Sequence, residues 1–185
     1  DIIECAVQTL GLNDVSEFNP DEKIIEYAIE KNNKGLMGLS GKDLISLISD
    51  SSPAPGGGSV SAIAGSLGAA LVSMVAALTH EKKDFIRSRK KMNEIGVKAQ
   101  DLKDRLIYLG EEDTEAFNAI LAANRLSDKT PEQKKFKEKR AFEANKYAIE
   151  IPLETAKLSL EVIKLSLDLI KHGNPNSVTD AEVAS

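Results

Sequence analysis

Two places in the sequence combine residue types and spacing that could do chemistry. The first is Asp113. It falls in the row Ile95, Ala99, Leu102, Leu106, Leu109, Asp113, Ala116, Ile120, Ala123, whose steps of three and four mark one apolar face of a helix. A carboxylate on a core-facing stripe is costly unless paired or protonated, and a desolvated carboxyl suits acid–base work near neutral pH. The competing account is structural: an Asp bonded to an Arg, a Lys or a helix N-terminus. Arg140, on the inner face of its own helix, is a candidate partner. The second place is the run Pro55, Gly56, Gly57, Gly58, Ser59 ahead of a long apolar stretch. Unhindered N–H groups at a helix N-terminus can bind an anion or a developing negative charge. The run matches no phosphate-loop pattern, and a sharp turn into a crowded core explains it equally well.

Other candidates are weaker. Ser177 and Asp180 have capping-box spacing, so Asp180 is either a cap or a second acid. Asn174 and Asn176 flank Pro175, where amides either bind a ligand or make a turn. Glu112 and Glu115 lie off the apolar row and read as solvated. His80 and His172 stand apart, and no HxxxH or CxxC spacing exists, so no metal site is expected.

These residues need helices to position them. From Ser59 to Thr79 no residue is charged, and Val60, Ile63, Leu67, Leu71, Met74, Val75 and Leu78 recur at helical steps. The rows Gly58, Ala62, Ser66, Ala70 and Ser61, Gly65, Ala69, Ser73, Ala77 are small, which lets neighbouring backbones approach. The run is about 20 residues, long enough for a membrane span. Its Gly, Ala and Ser content, beside charged amphipathic neighbours, predicts a buried core helix instead. A long helix over 80–123, with a break near Asp84 or Gly96, carries Asp113. Thr130, Pro131 and Gln133 start another helix, which Pro152 is expected to end. From Pro152 a further helix bears two apolar stripes, one through Leu153, Leu160 and Leu167 and one through Val162 and Leu169, and so has two neighbours to satisfy. His172-Gly173-Asn174-Pro175 stops it. Toward the N-terminus, Asn19, Pro20 and Glu22 start a helix running through Tyr27 and Ile29, and Ser40 with Asp43 makes a capping box. Residues 31–38 read as a linker, dividing the chain into 1–37 and 38–185. No strand-like alternation appears. The expected fold is all-α, an antiparallel helical bundle around a buried Gly/Ala/Ser-rich central helix.

The 185 residues carry a net charge of −5, which disfavours nucleic acid as a partner. Residues 81–110 are locally basic, with nine Lys or Arg against five Asp or Glu. A lone cysteine, Cys5, fits a reducing, cytoplasmic setting.

The stretch SSPAPGGGSVSAIAGSLGAALVSMVAALT resembles the opening of the formimidoyltetrahydrofolate cyclodeaminase / methenyltetrahydrofolate cyclohydrolase family, the C-terminal half of bifunctional formimidoyltransferase-cyclodeaminases. EEDTEAFNAILAA at 111–123, IPLETA at 151–156 and GNPNSVTDAEVA at 173–184 agree with it, although Glu182 stands where the family has Gly. Residues 1–30 are similar to the end of the transferase half, and the family continues beyond Ser185. The resemblance implies a cyclodeaminase that turns 5-formimidoyltetrahydrofolate into 5,10-methenyltetrahydrofolate and ammonia in histidine degradation and one-carbon metabolism. Asp113 and Asp180 would be its acids and bases. Pro55, Gly56, Gly57, Gly58, Ser59, Asn174, Asn176 and Arg140 would touch a folate, including a polyglutamylated one. No cofactor beyond the tetrahydrofolate substrate is implied. The family's pocket near a subunit contact points to a homo-oligomer. A cyclohydrolase and a helical oligomerisation module are the alternatives.

Overall fold

The structure, a computed structural model, describes residues 2–14, 18–25 and 35–185. It divides into two compact units, Asp1–Ser46 and Leu47–Ser185. In the first unit, helix α1 (Ile2–Thr9) closes at Gly11 with φ 63°, and the Leu12 N–H donates to Val7 O at 3.0 Å. Glycine suits that left-handed position because it has no Cβ to clash. Pro20 opens the short α2 (Pro20–Lys23). The rest of that expected helix, with Tyr27 and Ile29, and residues 31–34 of the expected linker lie outside the described residues. The Asp43 N–H donates to Ser40 Oγ, and that hydroxyl donates to Asp43 Oδ2, so Ser40 caps the start of α3 (Gly41–Ile48); the reciprocal bond of the expected capping box, from the Ser40 N–H to Asp43, is replaced by the hydroxyl contact. Its last two residues fall in the second unit.

The second unit is an up-down-up arrangement of α4 (Gly57–Glu81), α5 (Arg89–Asn124) and α6 (Pro131–His172), with the short α7 (Val178–Val183) against α4 and α6. Among the described residues there is no strand. Gly110 of α5 faces Ser59 and Ile63, and Gly96 faces Ala76, so α4 and α5 are antiparallel. Lys91–Asp168, Lys98–Glu161 and Arg105–Glu154 ion pairs fix α6 antiparallel to α5. The core is aliphatic: Val72, Val75, Met92, Ile95, Leu106, Leu109, Ala116, Ile151, Val162 and Leu169 are buried.

The expected break near Asp84 forms: α4 ends before Lys82, a 3-10 turn follows over Lys83–Ser88, and Arg89 Nε donates to the carbonyl of His80 at the end of α4. α5 is continuous at Gly96, where a Cβ would make an ordinary contact of 3.6 Å with Ala76. Pro152 does not end a helix: α6 runs through it. The proline ring is exposed, while Ile151 and Thr155 on either side are buried, so core contacts hold both halves in line despite the missing N–H. Finally, α4 buries its small residues, Ser59, Ala62, Ser66, Ala69, Ser73 and Ala76, whereas Val60, Leu67, Met74 and Leu78 stay 36–60% exposed. Small residues let α5 approach, as the small rows predict; Val72 and Val75 are buried beside them, while Leu67, Met74 and Leu78 are turned outward. By length and composition α4 could cross a membrane, a test that the core helix of a soluble protein also passes.

Candidate active site

The N-terminus of α4 meets the middle of α5. Gly56, the residue before the helix, offers no side-chain cap. The cap comes from α5 instead: Asp113 Oδ2 accepts the Ser59 N–H at 2.9 Å and the Ser59 hydroxyl at 3.1 Å. Ser59 Oγ lies 3.1 Å from Thr114 Oγ1. Ser59 is fully buried and Asp113 half-buried, so the carboxyl sits at the edge of the core, within reach of solvent. The contact is tight because residue 58 has no side chain: a Cβ there would lie 2.6 Å from Asp113 Oδ2. The N–H groups of Gly57 and Gly58 find no acceptor among the described residues. Pro55, buried and joined to Ala54 by a cis peptide, leads into this turn. The structure therefore brings together Pro55, Gly56, Gly57, Gly58, Ser59 and Asp113. It provides a carboxylate beside two open amide donors at the positive end of a helix dipole, able to take a proton and to bind an acceptor atom a few ångströms away.

Asn174, Asn176 and Asp180 are elsewhere. The Asn174 N–H donates to Thr79 Oγ1 at 3.1 Å, and Thr79 is about 30 Å beyond Ser59 along α4 at ~1.5 Å per residue. Asn174 is buried and both ends of its side-chain amide are bonded within the turn: Oδ1 accepts the Asn176 N–H, and Nδ2 donates to Ser177 Oγ. It caps the 3-10 turn Pro175–Ser177. Ser177 makes no side-chain cap on α7, so the capping box expected with Asp180 does not form. The end of α7 reaches Gly68, so Asp180 lies along the second half of α4. Arg140 does not pair with Asp113. It is exposed and lies 3.6 Å from Glu143, in a groove of about 420 Å³ lined also by Phe136 and Tyr147.

The sequence reading missed an ionic cluster between α5 and α6. Arg105 donates to both oxygens of Glu154, at 2.8 and 2.9 Å, and to Glu112 Oε1 at 3.1 Å. Glu112 was expected in solvent, yet its Oε2 is buried and has no partner. The seven-residue spacing of Arg105 and Glu112, two turns on one helix face, was the available signal. Hydrogen bonds from Arg105 hold Glu154 below the usual carboxylate range. Burial, then the charges of Glu112 and Glu115, push the Tyr147 hydroxyl above its ordinary value. Among the described residues, no three His, Cys, Asp or Glu side chains are grouped to hold a metal ion.

Residues 40–185 match the family model described as formiminotransferase-cyclodeaminase. The chain belongs to the formiminotransferase-cyclodeaminase family. It is 32% identical to the formimidoyltransferase-cyclodeaminase of Gallus gallus, over 99% of the chain and 34% of that protein, so it spans about a third of such relatives. It is 37% identical to a methenyltetrahydrofolate cyclohydrolase of Methylorubrum extorquens, over 74% of the chain and 66% of that protein. The crystal structure of a formiminotetrahydrofolate cyclodeaminase from Thermotoga maritima superposes with a TM-score of 0.71 at 26% identity, covering 80% of this chain and 70% of that one. The family match takes in both the Gly-rich turn and Asp113.

Proposed function

We propose that this chain carries a folate-dependent cyclodeaminase activity, converting 5-formimidoyltetrahydrofolate to 5,10-methenyltetrahydrofolate and ammonia. The observation that carries the site assignment is the Asp113 carboxyl held against the Gly-rich start of α4. N10 of the folate attacks the carbon of the formimidoyl group, protonated on its imino nitrogen, so that the N10–C bond forms as the C=N π pair moves to that nitrogen, which becomes an amino group. Asp113 takes the N10 proton and passes it to the amino group on that carbon. The C–N bond to that group then breaks, ammonia leaves, and the cationic methenyl bridge remains beside the carboxylate. One proton moves and no oxidant, metal or further cofactor enters. Ring closure joins two parts of one molecule, so holding the substrate against Gly57 and Gly58 supplies much of the rate. The Asp113→Asn variant is expected to fold normally and lose most of its turnover, about 100-fold or more, measured by ammonia release and methenyl absorbance. Wild-type kcat in that variant removes Asp113 from the mechanism.

Cyclohydrolase activity is the second reading, supported by the 37% identity to the Methylorubrum enzyme. The same carboxyl would then activate water against the methenyl carbon. The likeness to bifunctional proteins runs through 99% of the chain, against 74% for the cyclohydrolase, which favours deamination. On this reading, residues 1–37 are the end of a transferase-like region, and the reaction serves histidine degradation and one-carbon metabolism in the cytoplasm. We assign the exposed apolar side of α4 to contact with a second copy of the chain. Asn174, Asn176 and Asp180 would reach the substrate only from such a copy, because within one chain they lie at the far end of α4.

A further inference from the structure

We infer that Thr114 is a positioning residue for Asp113, acting through Ser59, and that Asp113 Oδ1 is the oxygen that exchanges a proton with the substrate. The inference rests on the reading of Asp113 as the acid–base group. A hydroxyl carries one hydrogen. Ser59 Oγ gives its hydrogen to Asp113 Oδ2, so in the 3.1 Å contact with Thr114 the donor must be Thr114. The chain of bonds is therefore directed, from Thr114 to Ser59 to Asp113. Ser59 is 0% exposed, so no solvent water replaces either bond.

The partner of Thr114 is unusual for its setting. A Ser or Thr hydroxyl inside a helix commonly turns back to the carbonyl one turn earlier. Ser61, Thr79 and Thr155 do this here, bonding Gly57 O, Val75 O and Ile151 O. Thr114 reaches across to α4 instead. The result is an asymmetric carboxylate: Oδ2 takes two donors from Ser59, while Oδ1 has none among the described residues. With both donors on Oδ2, Oδ1 is the oxygen left to meet the substrate.

The test is kinetic, on the full chain with 5-formimidoyltetrahydrofolate. Thr114→Val is expected to lower kcat about tenfold with KM within about twofold, and Thr114→Ser to restore it. Ser59→Ala, which keeps the backbone donor and removes the hydroxyl, is expected to lose a similar factor and carries the test should Thr114→Val fold poorly. Thr114→Val added to Ser59→Ala or to Asp113→Asn is expected to cost nothing more, since the three act as one unit. Wild-type kcat in Thr114→Val or Ser59→Ala, no recovery in Thr114→Ser, or an equal further loss in the Asp113→Asn background each overturns the inference. An inactive Asp113→Asn beside an active Thr114→Val removes the relay alone. A fully active Asp113→Asn removes the acid–base reading and the relay together.

Discussion

Gly58 and Asp113 touch so closely that neither position tolerates a larger neighbour. A Cβ at residue 58 would lie 2.5 Å from Asp113 Cγ, whereas one at residue 57 would meet nothing within 4 Å. The two adjacent glycines should therefore respond differently to the same change. Gly58→Ala is expected to displace the carboxyl, destabilise the fold by about 1–3 kcal/mol and remove most activity. Gly57→Ala, at the first turn of an exposed helix start, is expected to stay within about 0.5 kcal/mol of the parent. Urea unfolding and turnover of the two variants make the comparison. Equal behaviour would mean that the close approach at residue 58 is not what sets the carboxyl.

At the scale of elements, α5 and α6 are joined along their length by ion pairs as well as by aliphatic contacts. Bidentate hydrogen bonding from Arg105 depresses Glu154, and Lys164 and Lys98 lower Glu161 to about 2, both from an ordinary value of 4.5. A carboxyl whose folded value is depressed contributes stability above its unfolded value and loses it as pH falls through the folded one. The melting temperature is thus expected to hold above about pH 5 and to fall between about pH 4.5 and 2. Glu154→Gln isolates one contribution. Because the pair is largely exposed, its deficit at pH 7 is only about 2–4 °C, and it should shrink as pH drops below about 4. A deficit independent of pH in thermal melts would assign the effect to packing rather than charge. The same contacts explain why α6 continues past Pro152: buried Ile151 and Thr155 keep the register that the proline alone would interrupt.

At the scale of the whole molecule, α4 packs small residues together with Val72 and Val75 inward and leaves Val60, Leu67, Met74 and Leu78 outward, Leu67 60% exposed and Met74 41%. The second apolar row of α6, Leu153, Leu160 and Leu167, is 46–52% exposed as well. Monomeric proteins rarely leave long apolar stripes uncovered, which supports the assignment of this side to a second copy. Leu67→Glu is expected to shift sedimentation to the monomer while changing the stability of the isolated chain by no more than about 0.5 kcal/mol. A parent chain that sediments as a monomer at tens of micromolar would remove the dimer from the proposal.

Several features were legible from local spacing alone. The Thr130 box with Pro131 and Gln133 opens α6, with both its hydrogen bonds formed. The row from Ile95 to Ala123 turns its buried members toward the core and sets Asp113 among them. The Gly-rich run opens α4, with Gly56 just before the helix and Gly57 and Gly58 inside its first turn rather than in a turn ahead of it. Such signals depend on residues one to four apart, which share a helix whatever the rest of the chain does. Tertiary structure alone decided which side of α4 faces inward, because a helix apolar or small all round has no polar face to orient it. It alone set Asp113 on Ser59, 54 positions away in sequence, and separated Asn174 from both by running α4 and α6 in the same direction. Contacts between distant residues depend on how helices dock, and docking is fixed by the summed fit of whole surfaces, which no local pattern encodes.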